Sequence, residues 1–246
     1  MPRIHCPSPL SAGVELRLPD GAARHVQVLR HQPGDELTLF NGEGGQWTAR
    51  ITAMGKSSVD VQVLAHEAVE RELSRAVHLW VGLTANERMD WLIEKATELG
   101  VASITPVMAE RSVLKLKGDR ALKRLAHWQG IAQAACEQCG RNRVPPIHEA
   151  ASLAELLQRP DALSRVPGVH KAVLSLAPQP QALADWSGLQ DTAPVVCLSG
   201  PEGGLTPNED ALARAHGFAP IRLGARVLRA ETAPLALLSA LALWHP

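Results

Sequence analysis

Residues 198–210 read L-S-G-P-E-G-G-L-T-P-N-E-D and join an apolar segment to a strong helix start. The preceding run, residues 195–198, is short, apolar and β-rich, which is typical of a buried strand. Thr206 is placed to cap the helix, Pro207 suits its first position, and Glu209 completes a capping box with Thr206. The loop between them holds Gly200, Gly203 and Gly204. Because ligands bind at the carboxyl ends of strands in open α/β sheets, this loop is the first candidate site.

A second stretch repeats the pattern about twenty residues further on. A predicted strand at Ile221–Leu223 precedes G-A-R-V-L-R-A-E-T-A-P, and an apolar helix is predicted over Leu235–Leu243, with Thr232 as its N-cap and Pro234 in its first turn. This second loop carries two arginines, Arg226 and Arg229. Any tight strand-to-helix turn can use glycines, but two such loops with arginines predict a charged pocket.

The two halves of the chain differ in their predicted structure. The first part is β-rich, with short predicted strands broken by glycine and proline turns, and it predicts a small barrel. These strands are Gly13–Leu18, His25–Leu29, Glu36–Phe40, Trp47–Ala53 and Ser58–Leu64. A polar linker follows near Glu67–Ser74.

Beyond the linker, predicted strands and helices alternate. The strands are Val77–Leu83, Val101–Val107 and Ala172–Leu176, the helices are Glu87–Leu99 and Asp119–Cys139, and a loop is predicted from Arg159 to Val169. This alternation indicates an α/β fold in which helices cover both faces of a parallel sheet.

The charge balance excludes a protein coated with basic residues. The 246 residues include 25 basic and 25 acidic side chains. Residues 111–143 are locally basic, with eight cations against Asp119 and Glu137: Arg111, Lys115, Lys117, Arg120, Lys123, Arg124, Arg141 and Arg143. The first part of the chain contains Arg3, Arg24 and Arg30, which are further candidates for phosphate contacts. The pattern fits either a phosphate-binding surface or an ordinary solvated helix face.

Several other classes of protein are excluded or disfavoured. No signal sequence and no run of roughly 18 apolar residues is present, so we expect a cytoplasmic protein without a membrane span. Cys136-x-x-Cys139 lacks a second ligand pair, which favours a structural role over a metal site, and we expect no metal. Sequence signatures of dinucleotide-binding, P-loop, zinc-protease and serine-hydrolase sites are missing.

Four runs of sequence resemble the RsmE family of 16S ribosomal RNA uridine-N3 methyltransferases, which belongs to the SPOUT class. They are "EKATELGV" at Glu94–Val101, "ACEQCGRNRVP" at Ala135–Pro145, "GPEGGLTPNE" from Gly200 and "LGARVLRAETA" from Leu223. The likeness implies a PUA-like RNA-binding β-barrel domain over residues 1–70 and a SPOUT methyltransferase domain over 74–246. It further implies a C-terminal trefoil knot, a homodimer, S-adenosylmethionine as methyl donor, and 16S ribosomal RNA or the small ribosomal subunit as partner.

The resemblance also implies a set of site residues. The donor would be held by backbone groups around Leu176, Leu198, Gly200, Leu223, Gly224, Val227 and Leu228, and Pro201, Gly203 and Thr232 are further donor-binding candidates. Apart from the resemblance, the charge of Arg3, Arg24, Arg30, Arg141 and Arg143 makes them the candidates to contact RNA. Arg226 and Arg229 are the candidate catalytic residues, because their positive charge suits the anion that forms when uracil N3 loses its proton. Glu202 and Glu231 are candidates either to accept that proton or to orient an arginine, and the second role is favoured.

Two alternative functions stay open at this point. A SPOUT methyltransferase that acts on a ribose 2′-hydroxyl or on transfer RNA would share this composition. A non-catalytic ribosome-assembly factor could keep the fold, although the retained glycines and arginines of the two loops speak against it.

Overall fold

The computed structural model describes residues 1–159, 167–176 and 178–244. The chain forms two compact units, one made of residues 1–72 with 133–144 and the other of residues 73–132 with the chain from 145 onward. The loop predicted over Arg159–Val169 lies largely outside the described residues, and its described ends are in neither a helix nor a strand. Among the described helices, none combines the length and the apolar character that a membrane span requires.

The first unit is built on a five-stranded sheet with the order β1-β3-β4-β5-β2. Its strands are β1 (Arg3–His5), β2 (Glu15–Arg17), β3 (Glu36–Phe40), β4 (Gln46–Met54) and β5 (Val59–Glu67). Alternate residues of β5, namely Val59, Val61 and Val63, point into the core of this unit. Four of the predicted strands are therefore confirmed, and β1 was not predicted.

The strand predicted over His25–Leu29 is wrong, because these residues belong largely to the helix α1 (Asp20–Val28). Ala22, Ala23 and Val26 recur at helical spacing and are buried against the sheet. Val28 and Leu29, whose apolar character suggested a strand, are instead exposed to solvent. Burial of one helical face decided the local structure here, over the β-propensity of single residues.

The second unit contains a six-stranded parallel sheet with the order β7-β6-β10-β8-β11-β9. Its strands are β6 (Val77–Gly82), β7 (Ser103–Val107), β8 (His170–Leu174), β9 (Gln181–Ala182), β10 (Val195–Ser199) and β11 (Ala219–Arg222). The parallel sheet predicted from the alternating pattern is confirmed, and β9 was not predicted.

Within the described residues, five α-helices accompany this sheet in sequence. They are α2 (Asn86–Glu98), α3 (Gly118–Cys139, whose last turns from Gln133 belong to the first unit), α4 (Leu153–Gln158), α5 (Pro207–Ala215) and α6 (Thr232–Trp244). The capping box of α5 is present as predicted, with the Thr206 hydroxyl accepting from the Glu209 N–H. Thr232 was predicted to cap α6 but is its first helical residue. The helix α4 was missed, although Ser152 and Glu155 form a second capping box.

The register of the central strands places four loops at one edge of the sheet. Ser199, the last residue of β10, lies opposite Val81 of β6 and Leu174 of β8, and Leu174 also pairs with Ile221 of β11. The chain therefore leaves β6, β8, β10 and β11 at nearly the same level. Parallel strands with aligned carboxyl ends build the crevice in which α/β proteins bind their ligands.

Candidate donor and acceptor site

The loop after β10 is tightly packed, both at its own Gly200 and against Gly82, the last residue of the adjacent strand β6. A Cβ atom added to Gly200 would lie 2.7 Å from the backbone nitrogen of Leu205, and one added to Gly82 would lie 2.2 Å from the nitrogen of Pro201. These neighbours are backbone atoms, which cannot rotate away as a flexible side chain can. The loop thus presents its main chain directly to the edge of the sheet.

The loop after β11 is open and charged. Gly224 has a φ of 100°, a conformation that glycine adopts at little cost. Val227 is 74% exposed, and both Arg226 and Arg229 are exposed without an ion-pair partner among residues 1–159, 167–176 and 178–244. The loop returns to helical structure where the Arg229 carbonyl accepts hydrogen bonds from the N–H groups of Thr232 and Ala233.

These two loops and the segment after β8 enclose a cavity of about 690 Å³. Apolar and charged side chains share its wall, and Leu176, which is 77% exposed, projects there. The predicted site residues that line it are Leu176, Gly200, Pro201, Gly203, Leu223, Gly224, Arg226, Val227, Leu228 and Arg229. The structure therefore brings both sequence stretches into one pocket.

Two predicted donor-site residues lie outside the cavity wall. The side chain of Leu198 is fully buried in the core under the sheet, because it points away from the loop that follows it. Thr232 is half-buried in the first turn of α6. Neither side chain faces the cavity, so any contribution they make to binding passes through the backbone or through packing.

Arg88 joins the first loop to helix α2 and is not among the site residues predicted from the sequence. Its guanidinium lies 3.3 Å from the carboxylate of Glu202 and 4.0 Å from that of Glu231. Glu202 also accepts the backbone N–H of Ala85 at 3.0 Å. Both glutamates that were candidates for the proton acceptor thus face the same arginine, and Arg88 itself lines the cavity. The available signal was that Arg88 lies in the first turn of a helix that follows a strand, in the run N-E-R at residues 86–88.

A second arginine braces the glycine loop from the segment after β7. The Nη1 of Arg111 donates to the carbonyl oxygens of Gly203 at 3.0 Å and of Leu205 at 3.4 Å. A Cβ added to Gly203 would approach the Arg111 side chain to 3.0 Å. The hydroxyl of Ser199 is buried in the cavity wall without a hydrogen-bond partner among the described residues, which leaves a polar atom available for a ligand.

The five arginines predicted to contact RNA divide into two groups. Arg141 is 4% exposed and its guanidinium is paired with Glu72, while Arg3 donates to Asn142 at 2.7 Å and to the Arg141 carbonyl at 3.1 Å. Burial lowers the pKa of the Arg3 guanidinium. These two side chains hold the first unit together. Arg24 and Arg30 are exposed, as is Arg143, which lies 3.5 Å from Glu70.

The first cysteine of the Cys-x-x-Cys motif is buried, while Cys139 is partly exposed. Cys136 is buried, its thiol donates to the Arg143 carbonyl at 3.4 Å, and burial raises its pKa to about 12. A thiol that stays protonated at neutral pH is a poor nucleophile and a poor metal ligand. Within the described residues, histidines, cysteines and carboxylates form no cluster suited to a metal ion.

Comparison with known proteins points to one class. The RNA methyltransferase domain family matches residues 71–242, and the RNA methyltransferase PUA domain family matches residues 18–64. Ribosomal RNA small subunit methyltransferase E of Bacillus subtilis is 32% identical over 216 residues, covering 88% of this chain and 84% of that protein.

Two solved structures are also similar. The ribosomal RNA small subunit methyltransferase E of Neisseria gonorrhoeae, bound to S-adenosyl methionine, is 39% identical with a TM-score of 0.90, covering 98% of this chain and 96% of that one. A methyltransferase of Legionella pneumophila with bound S-adenosylmethionine is 36% identical with a TM-score of 0.90, covering 97% and 96%.

The matches to the RNA methyltransferase domain and to its PUA domain identify the chain as an RNA methyltransferase, and the cavity at the carboxyl ends of the parallel strands is the site that such a protein requires. The chain belongs to the ribosomal RNA small subunit methyltransferase E family. The family resemblance carried by the four sequence runs is thereby confirmed.

Proposed function

We propose that this protein transfers a methyl group from S-adenosylmethionine to N3 of a uridine in 16S ribosomal RNA. The observation that carries the proposal is the cavity at the sheet edge, where a tightly packed glycine loop faces a loop with two unpaired arginines. The small-subunit RNA methyltransferases that this chain resembles support the substrate.

The cavity fits the methyl donor in size and chemistry. Its volume of about 690 Å³ falls within the roughly 300–1,000 Å³ of small-molecule sites. Exposed apolar side chains at Leu176 and Val227 suit the adenine and ribose portions, and the main chain around Gly200 and Gly224, which both line the cavity, offers polar groups. The unpartnered hydroxyl of Ser199 is a further hydrogen-bonding group. When bound, the donor supplies a methyl group activated by its sulfonium.

The arginines of the second loop supply the charge that the acceptor requires. Uracil N3 carries a proton, and its loss spreads negative charge onto the two ring carbonyl oxygens. Arg226 and Arg229 have no acidic partner among the described residues, so their guanidinium groups are available to stabilise this charge. Positive charge close to the atoms on which negative charge develops lowers the barrier to the reaction.

Glu202 and Glu231 are assigned to positioning Arg88. Both carboxylates face its guanidinium, and Glu202 is fixed further by the Ala85 N–H. Glu231 is 8% exposed and sits at the start of α6, where it does not line the cavity. Arg88 thus reaches the cavity wall with its direction set from two sides.

The direct test is methyl transfer with a chemical readout of the product. Small ribosomal subunits from cells that lack the enzyme are incubated with the protein and methyl-labelled S-adenosylmethionine, with bulk transfer RNA as a parallel substrate. Mass spectrometry of the digested RNA is expected to find the label in N3-methyluridine of 16S RNA. Label on a ribose 2′-hydroxyl or in transfer RNA would contradict the proposal in favour of another SPOUT activity. Donor binding without any transfer would instead support an assembly factor.

Finer features of the architecture and setting belong to the same proposal. We assign residues 1–70 to an RNA-binding PUA-like barrel, with Arg24 and Arg30 as its exposed candidate contacts, and residues 74–246 to a SPOUT domain that ends in a trefoil knot. Arg143, which is also exposed, is a further candidate contact outside the barrel. A homodimer is supported by apolar side chains that remain exposed on α2 and α6, namely Trp91, Leu243 and Trp244. Because the substrate is ribosomal RNA, we place the enzyme in the cytoplasm.

A further inference from the structure

A strip of six cations lies on the second unit, and only the first of them, Arg111, also belongs to the cavity wall. It consists of Arg111, Lys115, Lys117, Arg120, Lys123 and Arg124. All are exposed except Arg124, which is half-buried. Asp119 is the one acidic residue between Arg111 and Arg124, and Glu110 precedes them. From Lys115 to Arg124, these cations form no ion pair with any described residue.

The part of the strip on α3 occupies one face of the helix. Arg120, Lys123 and Arg124 are spaced by three and four residues, which puts them side by side on the helix surface. Trp128 and Ala132, which are buried, mark the neighbouring face that packs into the second unit. Like charges at this spacing repel one another, so an anionic ligand would relieve a cost that the free helix carries.

The other end of the strip touches the cavity. Arg111 lines it and donates to the Gly203 and Leu205 carbonyls of the glycine loop, as described above. Lys115 and Lys117 lie between Arg111 and the start of α3, in a segment that is neither helix nor strand. Cations therefore recur along the chain from the cavity rim to the second turn of α3, with Asp119 as the one acidic residue among them.

We propose that this strip binds the phosphate backbone of the RNA strand whose target base enters the cavity. The inference rests on the proposed function, because it takes single-stranded RNA near the target uridine as the ligand. Unpaired lysines and arginines gain affinity by releasing counterions from phosphates, and such contacts position a strand independently of its sequence. Two arginines that sequence reasoning had assigned to RNA, Arg3 and Arg141, are instead engaged within the first unit.

The test removes three charges at the strip and compares them with three charges elsewhere. The strip variant combines Lys117→Gln, Arg120→Gln and Lys123→Gln. The control variant combines Arg17→Gln, Arg50→Gln and Lys95→Gln. Each of these cations already has an acidic partner: Asp60 for Arg17, Glu36 for Arg50, and both Glu94 and Glu98 for Lys95. Both variants lower the net charge equally. RNA affinity is measured over a series of salt concentrations with deproteinised small-subunit RNA, and donor affinity is measured by calorimetry.

We expect the strip variant to lose at least roughly ten-fold in RNA affinity at low salt. The slope of log affinity against log salt should become shallower by about 2, since each single-strand phosphate contact contributes about 0.7. Donor affinity should stay unchanged, and the control should bind RNA like the wild type. A third variant, with Lys117→Arg, Arg120→Lys and Lys123→Arg, keeps all three charges. It should bind RNA with close to wild-type affinity, because the positive charge is required and not the shape of the side chain.

Three outcomes would overturn the strip as an RNA site. They are an unchanged salt slope in the strip variant, an equal loss in the control, or a parallel loss of donor binding that reveals a general structural defect. The proposed function fails separately, if the wild-type protein itself transfers no methyl group to the subunit. If the wild type methylates the small subunit and the strip variant binds RNA as the wild type does, the RNA-binding role of the strip is refuted while the proposed function stands.

Discussion

The two loops that form the cavity differ in how the protein holds them. The loop after β10 is fixed from every side: added atoms at Gly200 would collide with backbone, Arg111 bridges two of its carbonyls, and a capping box fixes its exit into α5. The loop after β11 is exposed, and its two arginines have no ion-pair partner in the described chain.

This difference separates two tasks within one pocket. A rigid main-chain surface loses little entropy when it binds a ligand, which suits recognition of a donor that is the same in every turnover. Unpaired guanidinium groups are free to meet charge that develops on the acceptor. We therefore expect substitutions in the first loop to affect donor binding and those in the second loop to affect the rate of transfer.

The largest effect is expected from the second loop. Arg229→Gln removes a cation without breaking any ion pair, so kcat should fall by roughly 100-fold or more while the donor Kd and the thermal midpoint stay close to wild type. Single-turnover methyl transfer at saturating donor and RNA measures the rate. Arg50→Gln, at an exposed arginine paired with Glu36 in the first unit, is the matched control. A higher donor Kd with an unchanged transfer rate would contradict this expectation, because it would assign the second loop to donor binding.

A smaller effect is expected from the first loop. Gly200→Ala places a Cβ 2.7 Å from a backbone nitrogen, and overpacking of about 1–3 kcal/mol should weaken donor binding by roughly 10- to 100-fold in calorimetry. Gly130→Ala is the control, because its Cβ meets no atom within 4 Å and lies in the exposed part of α3. That variant should instead gain about 0.5–1 kcal/mol in unfolding free energy. Equal donor affinity in both variants would show that the loop is not rigid.

The smallest effect is expected at the bridge between α2 and the first loop. The side chains of Arg88 and Glu202 are 41% and 26% exposed, so solvent screens their attraction. Urea unfolding of Arg88→Gln, Glu202→Gln and the double variant should give a coupling energy of about 0.5–1 kcal/mol. Glutamine at position 202 can still accept the Ala85 N–H, so the cycle isolates the charge. A coupling energy near zero would show that the ion pair between Arg88 and Glu202 does not stabilise the loop.

Local signals accounted for most of the elements that surround the site. Thr206, Pro207 and Glu209 determine the start of α5 through contacts within one helical turn, which is why the sequence predicts it to the residue. The error at α1 arose where such signals are weak. Its Pro19 N-cap offers no side-chain hydrogen bond, and only burial of Ala22, Ala23 and Val26 against the sheet reveals the helical face.

Site residues followed the same division. Arg226 and Arg229 could be named from the sequence because they sit inside a loop whose glycines already marked it. Leu198 was predicted to offer backbone groups to the donor, and alternation along the strand sends its side chain into the core, so that prediction concerns its main chain alone. Arg88 escaped notice because its partner Glu202 is 114 residues away.

The sequence by itself determined two glycine-bearing strand-to-helix loops, the capping box of α5, the alternating α/β pattern and the family. These features depend on interactions between residues that are close along the chain. Only the tertiary structure decided which distant groups meet, because the strand order places β6 beside β10 and β10 beside β8. That order brings Arg88 to Glu202 and turns two separate loops into one cavity.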